Sequence, residues 1–578
     1  MLDGEHQYVV PNLGLLYPAV HDLAERSLAA AKALRCFDAL AQEGHRGTLT
    51  GEYEWLTDDV ALLGLPPGER AERSVWAAAA KARRFGIKSG EHLGAIATLK
   101  RLWPTLFTRQ VSDFLDGDHI KRFVVSTHTM ALATSIGRLA QRLEGGNDAS
   151  IQKGLAALAL AADTVDRAVL PASLAPSLNK LHRLRPEAAQ VLRALPALLD
   201  EAREAGEDEG TAMTQRIVAL IGHRPETYYG LIKMDGDRMG AWMAGNEPAF
   251  QRRFGQTWHP QVRVAVKNKF GHQPSLQPYM DAPRPPSPAR HAAISAVLND
   301  FSTHVARHVI EEVFKGKLLY AGGDDVLAMV SVDDLLPCML LLRAAYSGVG
   351  EWGALPGVAK LRDMALGRGY VGLGSSRNPG LLPMMGRDAT ASIGAVVAHH
   401  QAPLATVLRE LRKAERQAKK HLGGGRNAFC LRVMKRGGGE VSVTSRFWDQ
   451  ALVKDDQKLP LEQTALGLML RFAASIAHAG TSRRAIYNAT SWLTQLPARD
   501  GLGPNGQPLM LDDEWQRMVA LNLAMQFAKQ GALPEHAGEF VRLACAENKP
   551  ADTLAALVDL LVAAEFFARE GRSLDGDE

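Results

Sequence analysis

Apolar residues recur at helical spacing through roughly the first 215 positions, in HDLAERSLAAAKALRCFDALAQEG, FVVSTHTMALATSIGRLAQRLEG and EAAQVLRALPALLDEAREAG, with Pro and Gly between the runs. From about Tyr228 the pattern changes. YYGLIKM is a short apolar, partly aromatic run with strand character, and it ends in the acidic turn Asp235-Gly236-Asp237. A Pro- and aromatic-rich excursion, FGQTWHPQVRVAVKNKFGHQPSLQPYMDAPRPPSP, precedes the helical stretch ARHAAISAVLNDFSTHVARHVIEEVF. Two apolar runs, KLLYA and VLAMV, then flank Gly322-Gly323-Asp324-Asp325, and short strands around a Gly-containing four-residue turn predict a β-hairpin. DDLLPCMLLLRAAYSG reads as a helix capped by Asp333, and Gly-rich sequence from Gly348 to Asp388 reads as a second insertion. TASIGAVVAHH is a strand, PLATVLRELRKAERQAKKHL a helix opened by Pro403, and NAFCLRVMK a closing strand. The string predicts an α+β fold, a ferredoxin-like or polymerase-palm sheet with helices on one face. From about Trp448 the chain is helical again, without a clear internal repeat.

Length and charge narrow this picture. A chain of 578 residues exceeds a single core, and the pattern divides it into a mainly helical region (1–215), a palm region (216–440) and a helical region (441–578). Hydrophobic residues at 46% and charged residues at 22% exclude a disordered or fibrous chain. A formal net charge of +4 offers no global field for a polyanion, so contact with nucleic acid would be local. Cys36, Cys338, Cys430 and Cys545 lie far apart without CxxC spacing, which disfavours a disulfide framework and fits a reducing, cytoplasmic setting. The start lacks a basic segment followed by an apolar one, so neither export nor a membrane is expected.

The two acidic turns carry the candidate chemistry. Each ends a predicted strand, and the palm order would bring both to one edge of the sheet. Two-metal phosphoryl transfer requires carboxylates that converge on hard divalent ions, and Asp235, Asp237, Asp324 and Asp325 supply that charge for Mg²⁺ or Mn²⁺. Gly322 and Gly323 would let backbone N–H groups approach a triphosphate. Either motif alone is better explained as a turn; together on this string they favour a nucleotide site. Ser392 and Gly394 lie in the small-residue strand, where phosphates could approach. Lys419, near the end of the following helix, and Arg426, on the glycine loop, could balance phosphate charge or equally belong to a solvated helix end.

LIKMDGDRMG, YAGGDDVLAM, TASIGAVVAHHQAPL and AERQAKK, in this order, resemble the second palm of the large polymerase-like subunit of type III CRISPR effector complexes, closest to the Cmr (III-B) branch. PNLGLLYP, LTGEYEWL, TLKRLWP and RFVVSTHTMAL extend the likeness over most of the chain, and GGGRN, ending at Asn427, is similar to a turn of the GGDEF nucleotidyl cyclases. The resemblance implies synthesis of cyclic oligoadenylate from ATP, switched on by target RNA paired to a guide RNA, in the company of other Cmr-type subunits. It assigns Asp324, Asp325 and Asp235, with Asp237 less certain, to the metals. Gly322, Gly323, Ser392 and Lys419 would hold phosphates.

Departures from the family are equally specific. Neither an HD-type nuclease domain nor a first palm is visible before Pro11, so HD-dependent DNA cleavage is not expected and the chain reads as a short form, natural or truncated. Where members often carry a cysteine zinc site, this sequence reads GHRGTLTGEY and SGEHLGAIA, with His45 and His92 but no nearby thiol, and zinc is doubtful. Basic clusters at Lys81, Arg83, Arg84 and Lys88, at Lys100 and Arg101 beside Trp103, and at Lys121 and Arg122 beside Phe123 could follow an RNA backbone as a group. Two other readings stand beside the synthase: a scaffold subunit that bridges guide RNA and neighbouring subunits, and a stand-alone GGDEF-like cyclic dinucleotide synthase. GGDD in place of GGDE and the flanking helical regions disfavour the latter.

Overall fold

In a computed structural model of the chain, the apolar run that ends at the first acidic turn is the nine-residue strand β1 (Tyr228–Gly236). The structure describes residues 16–34, 41–70, 72–82, 86–114, 124–146, 149–245, 247–351, 355, 364–374, 380–448, 459–477 and 484–570. Two compact units are present, one of residues 26–124 and one of residues 1–25 with 125–578. The smaller unit has a modest core of Trp55, Leu62, Trp76, Ile87, Leu93 and Ala97. Arg70 is buried in it, with its guanidinium 4.3 Å from the centroid of the Trp55 ring.

The larger unit is built on β1. After it come the exposed helix α1 (Pro260–Phe270), the hairpin β2 (Gly316–Gly322) and β3 (Asp325–Ser331), helix α2 (Val332–Ser347), strand β4 (Ala391–His399), helix α3 (Leu404–Gly424), and strands β5 (Ala428–Met434) and β6 (Glu440–Arg446). The sheet order is β6-β5-β4-β1-β3-β2. β1 is antiparallel to both neighbours, with Met234 opposite Val326 and Asp235 opposite Ser392, while β4 and β5 run parallel. The four strands β4-β1-β3-β2 are the ferredoxin-like core, as the sequence predicts. The closing strand is not the last, however. β6 follows β5 across a turn in which Gly438 and Gly439 have φ of +87° and +83°, a conformation that only glycine adopts without strain.

The expectation of helices on one face is corrected. Ile232, Met234, Val326, Ala328, Ile393 and Val397 turn to one core with α2 and the C-terminal helices, among them α4 (Thr553–Glu570). Tyr229, Leu231, Met329, Val396 and Ala398 turn to a second core with α3 and the helices between Thr127 and Ile221. The physical reason lies in β4, all nine residues of which are buried. An uninterrupted apolar strand needs cover on both sides, and the parallel β4–α3–β5 connection supplies the second cover.

Two local expectations also change. Gly322 pairs with Asp325, so the hairpin turn is the two residues Gly323 and Asp324, with Gly323 at φ +66°. Ser331, not Asp333, takes the N-cap position of α2. Asp333 and Asp334 instead bind the buried Lys315 ammonium at 2.8 and 2.9 Å; Asp334 also accepts the Lys315 backbone N–H at 2.7 Å, and Thr134 donates its hydroxyl to Asp333.

Candidate active site at the acidic edge

Because side chains alternate along a strand, Lys233 and Asp235 leave β1 on the same side, toward α3. Glu415 of α3 meets Lys233 at 2.8 Å, and Lys419, one turn further, bridges Asp235 at 2.6 Å and Glu415 at 2.7 Å. Helical backbone then breaks at His421, Leu422 and Gly423, which leaves Lys419 in the last turn, where a cation also suits the helix dipole. Burial works against the Lys419 charge, yet hydrogen bonds to Asp235 and Glu415 outweigh it and raise its pKa.

The hairpin turn sets Asp324 against the acidic turn of β1. A Cβ at Gly236 would lie 2.7 Å from a carboxylate oxygen of Asp324 and 2.6 Å from the Tyr346 hydroxyl, so glycine permits this approach. Burial pushes the Asp324 carboxyl up, and the charges of Asp235 and Asp325 add to it; the Asp325 carboxyl is raised by burial and by Asp235, against the pull of Lys233 and Lys419. Negative charge thus exceeds its compensation at this edge. Among the described residues no three carboxylate, imidazole or thiolate side chains close around one point as ligands of an ion would, and Asp235 faces Lys419.

Asp237 has a different environment. It is 3% exposed and accepts hydrogen bonds from Thr390 Oγ1 at 2.7 Å, Ser392 Oγ at 2.8 Å and the Asn427 backbone N–H at 2.9 Å. Arg426 reaches only to 4.0 Å from it. Asn427 is held in turn by Arg343 Nε at 2.7 Å and donates to the Trp448 carbonyl at 2.8 Å. Arg343 is wholly buried, lies 4.4 Å from the Trp448 ring centroid, and has its pKa lowered to about 10 by that burial. Arg426 and Asn427 both adopt positive φ, +59° and +50°, a strained conformation for side-chain-bearing residues.

The structure therefore brings Asp235, Asp324, Asp325 and Lys419 together at an accessible edge next to Gly322 and Gly323. Ser392 is fully buried and spends its hydroxyl on Asp237. Gly394 lies beneath α3, where a Cβ would come within 2.3 Å of the Glu415 backbone nitrogen. Sequence reasoning did not find Lys233, Glu415, Tyr346 or Arg343. Glu415 was signalled by its i,i+4 spacing to Lys419, and Arg343 by being the one basic residue of its helix, set in the apolar run that follows Asp334.

Elsewhere, His92 is buried, with Nδ1 3.2 Å from the Gly90 carbonyl and its ring edge-on to Trp55. Arg101 contacts the Gly86 carbonyl at 2.8 Å and Glu91 at 3.4 Å, while Trp103 is 52% exposed and stacks on Phe107. Arg83, Arg84, Lys121, Arg122, Phe123 and Cys36 lie outside the described residues. No helix of the described residues is long and apolar enough to cross a membrane.

Parts of the chain are similar to known proteins. Residues 228–355 match the family Cas10/Cmr2, second palm domain. The CRISPR system Cmr subunit Cmr2 of Pyrococcus furiosus is 28% identical over 221 residues, 38% of this chain and 20% of that protein. The corresponding Saccharolobus solfataricus subunit is 34% identical over 124 residues, 22% of this chain and 10% of that one. Among solved structures, the apo state of a type III-B Cmr-beta complex contains a chain similar in fold, with a TM-score of 0.56 at 15% identity, covering 96% of this chain and 61% of that one. A Cmr-beta structure bound to cognate target RNA gives a TM-score of 0.56 at 13% identity, covering 96% and 62%. The matched sequence thus spans one fifth or less of the curated relatives.

Proposed function

From a chain that belongs to the Cas10/Cmr2 family, we propose an ATP-using nucleotidyltransferase subunit of a type III Cmr complex that makes cyclic oligoadenylate when target RNA pairs with guide RNA. The observation that carries this reading is the placement of Asp235, Asp324 and Asp325 at one sheet edge, beside a glycine turn and Lys419, with Asp324 and Asp325 half-buried and no cation ion-paired to either among the described residues. The donor set is all carboxylate oxygen, which suits Mg²⁺ or Mn²⁺; bound there, the ion would supply the positive charge that phosphoryl transfer requires.

In this reading the chain's own residues position and balance. Gly323, with open space where a Cβ would stand, would present its backbone N–H to phosphate oxygens, whereas the Tyr320 ring lies against Gly322; Lys419, with Arg426 on the loop above, offsets the phosphate charge. Attack by a ribose 3′-hydroxyl on the α-phosphate of a second ATP forms the new P–O bond as the bond to pyrophosphate breaks. Asp237, through Thr390, Ser392 and Asn427, fixes the loop that carries Arg426, and Gly394 admits α3 so that Lys419 reaches the edge. A Cmr-beta complex with a chain of similar fold binds cognate target RNA, which supports RNA as a partner here.

The test is synthesis by the assembled complex with guide RNA, target RNA, Mg²⁺ or Mn²⁺ and labelled ATP. Oligoadenylate is expected, dependent on target RNA and reduced at least a hundredfold by Asp324→Ala with Asp325→Ala. No product with target present would favour the scaffold reading instead, and a cyclic dinucleotide made from GTP by the isolated chain would favour the GGDEF-like one.

A further inference from the structure

Between Glu247 and Asp281 the chain has no acidic residue, yet it carries Arg252, Arg253, Arg263, Lys267 and Lys269. Two of these cations are already committed: Arg252 meets Asp388 at 2.9 Å and Arg253 meets Asp281 at 3.6 Å. Both lie at the base of the excursion, where residues 252–253 pair with 283–284. The other three lie on α1, which has no buried residue at all. Helical geometry puts Arg263, Lys267 and Phe270 on one stripe, at i, i+4 and i+7, while Lys269 leaves the helix a quarter-turn or more away and reaches back to 5.4 Å from the Phe270 ring centroid. Like charges at i,i+4 weaken an isolated helix, and this helix buries no residue fully to offset them.

Aromatic rings accompany the cations. Phe254 and Tyr279 stack at 4.8 Å and 21°, Trp258 lies 6.1 Å from Tyr279, and Tyr279 and Phe270 are 48% and 37% exposed. Cations spaced along a backbone track, together with partly open aromatic faces, are what single-stranded nucleic acid uses, since every base offers a face to stack. An acidic protein surface would complement the charge but would leave the rings without a role.

We infer that the excursion, and α1 above all, is a contact surface for single-stranded RNA. This deepens the function proposed above by naming a surface for its partner, but it does not depend on catalysis.

The measurement is fluorescence anisotropy of a labelled mixed-sequence single-stranded RNA with the full chain over a range of salt. Arg263→Glu, Lys267→Glu and Lys269→Glu combined should weaken binding at least tenfold and flatten the plot of log affinity against log salt by about two, from three lost phosphate contacts at roughly 0.7 each. Phe270→Ala should cost roughly fivefold or more with little change in that slope. Thermal melts of these variants should match wild type, because nothing on α1 is buried. Asp324→Ala with Asp325→Ala should bind RNA normally, which separates this surface from the proposed synthesis. Unchanged affinity and slope would overturn the inference, as would an equal loss on reversal of Lys153, Arg517 and Lys529, exposed cations on other helices. Release of a bound protein subunit with RNA affinity intact would overturn it too and assign α1 to a protein contact.

Discussion

Strand β3 has an Asp–Asp pair near each end. At its start, Asp324 and Asp325 stand half-buried with carboxyl pKa values raised by burial and by neighbouring acid. Just past its end, Asp333 and Asp334 are more deeply buried, yet Lys315 lies between them, and its charge outweighs burial and holds the Asp333 carboxyl well below the usual carboxylate range. Identical dipeptides are thus a liability in one place and a fixture in the other. Compensation decides which: the structural pair has its cation in the fold, and the candidate site leaves part of its charge for something else to meet.

The largest effect should come from breaking the compensated end. Lys315→Met would strand two buried carboxylates and cost about 3–5 kcal/mol in denaturant unfolding. Next, Asp237→Ala removes the acceptor for two hydroxyls and a backbone N–H and should cost about 2–4 kcal/mol. At the open end, 10 mM Mg²⁺ should raise the melting temperature of wild type, by about 1.4 kcal/mol of stability if that is ten times Kd, and leave Asp324→Asn with Asp325→Asn unmoved. The smallest effect concerns pH without metal. A raised folded pKa means stability present below the unfolded carboxylate value, near 4, and lost as pH climbs through the higher folded one. The double Asn variant should therefore equal wild type at about pH 3.5 and exceed it slightly by pH 7. Asp333, lowered in the fold, gives the opposite sign: its stability is present above that value and lost as pH falls.

Most of the palm was legible because its signals are local: the apolar, partly aromatic run of β1, glycine and aspartate at the hairpin, the apolar run of β4. What escaped depends on partners distant in sequence. Asp333 fits the sequence pattern of a cap, and only the fold brings Lys315 to it. Arg343 is an anomaly in its helix until Asn427 and Trp448 arrive from elsewhere. The second layer of helices escaped because the uninterrupted apolar run of β4 calls for cover on both sides without naming the distant helices that supply it. At the site, Asp235, Asp324 and Asp325 could be read from their turns, whereas the division of labour between Asp235 and Asp237 could not. These residues are two apart, but one opens to Lys419 and the other is closed in by Thr390, Ser392 and Asn427.

Strand β4 has a consequence for how the protein can be cut and recombined. Its alternate side chains belong to two cores, one completed by helices far toward the C-terminus and one by helices that precede β1. The palm is portable as a sequence motif but not as a physical part. Excised alone, it would keep only α2 on one apolar face and α3 on the other, and a graft onto another protein would have to complete the cover of both.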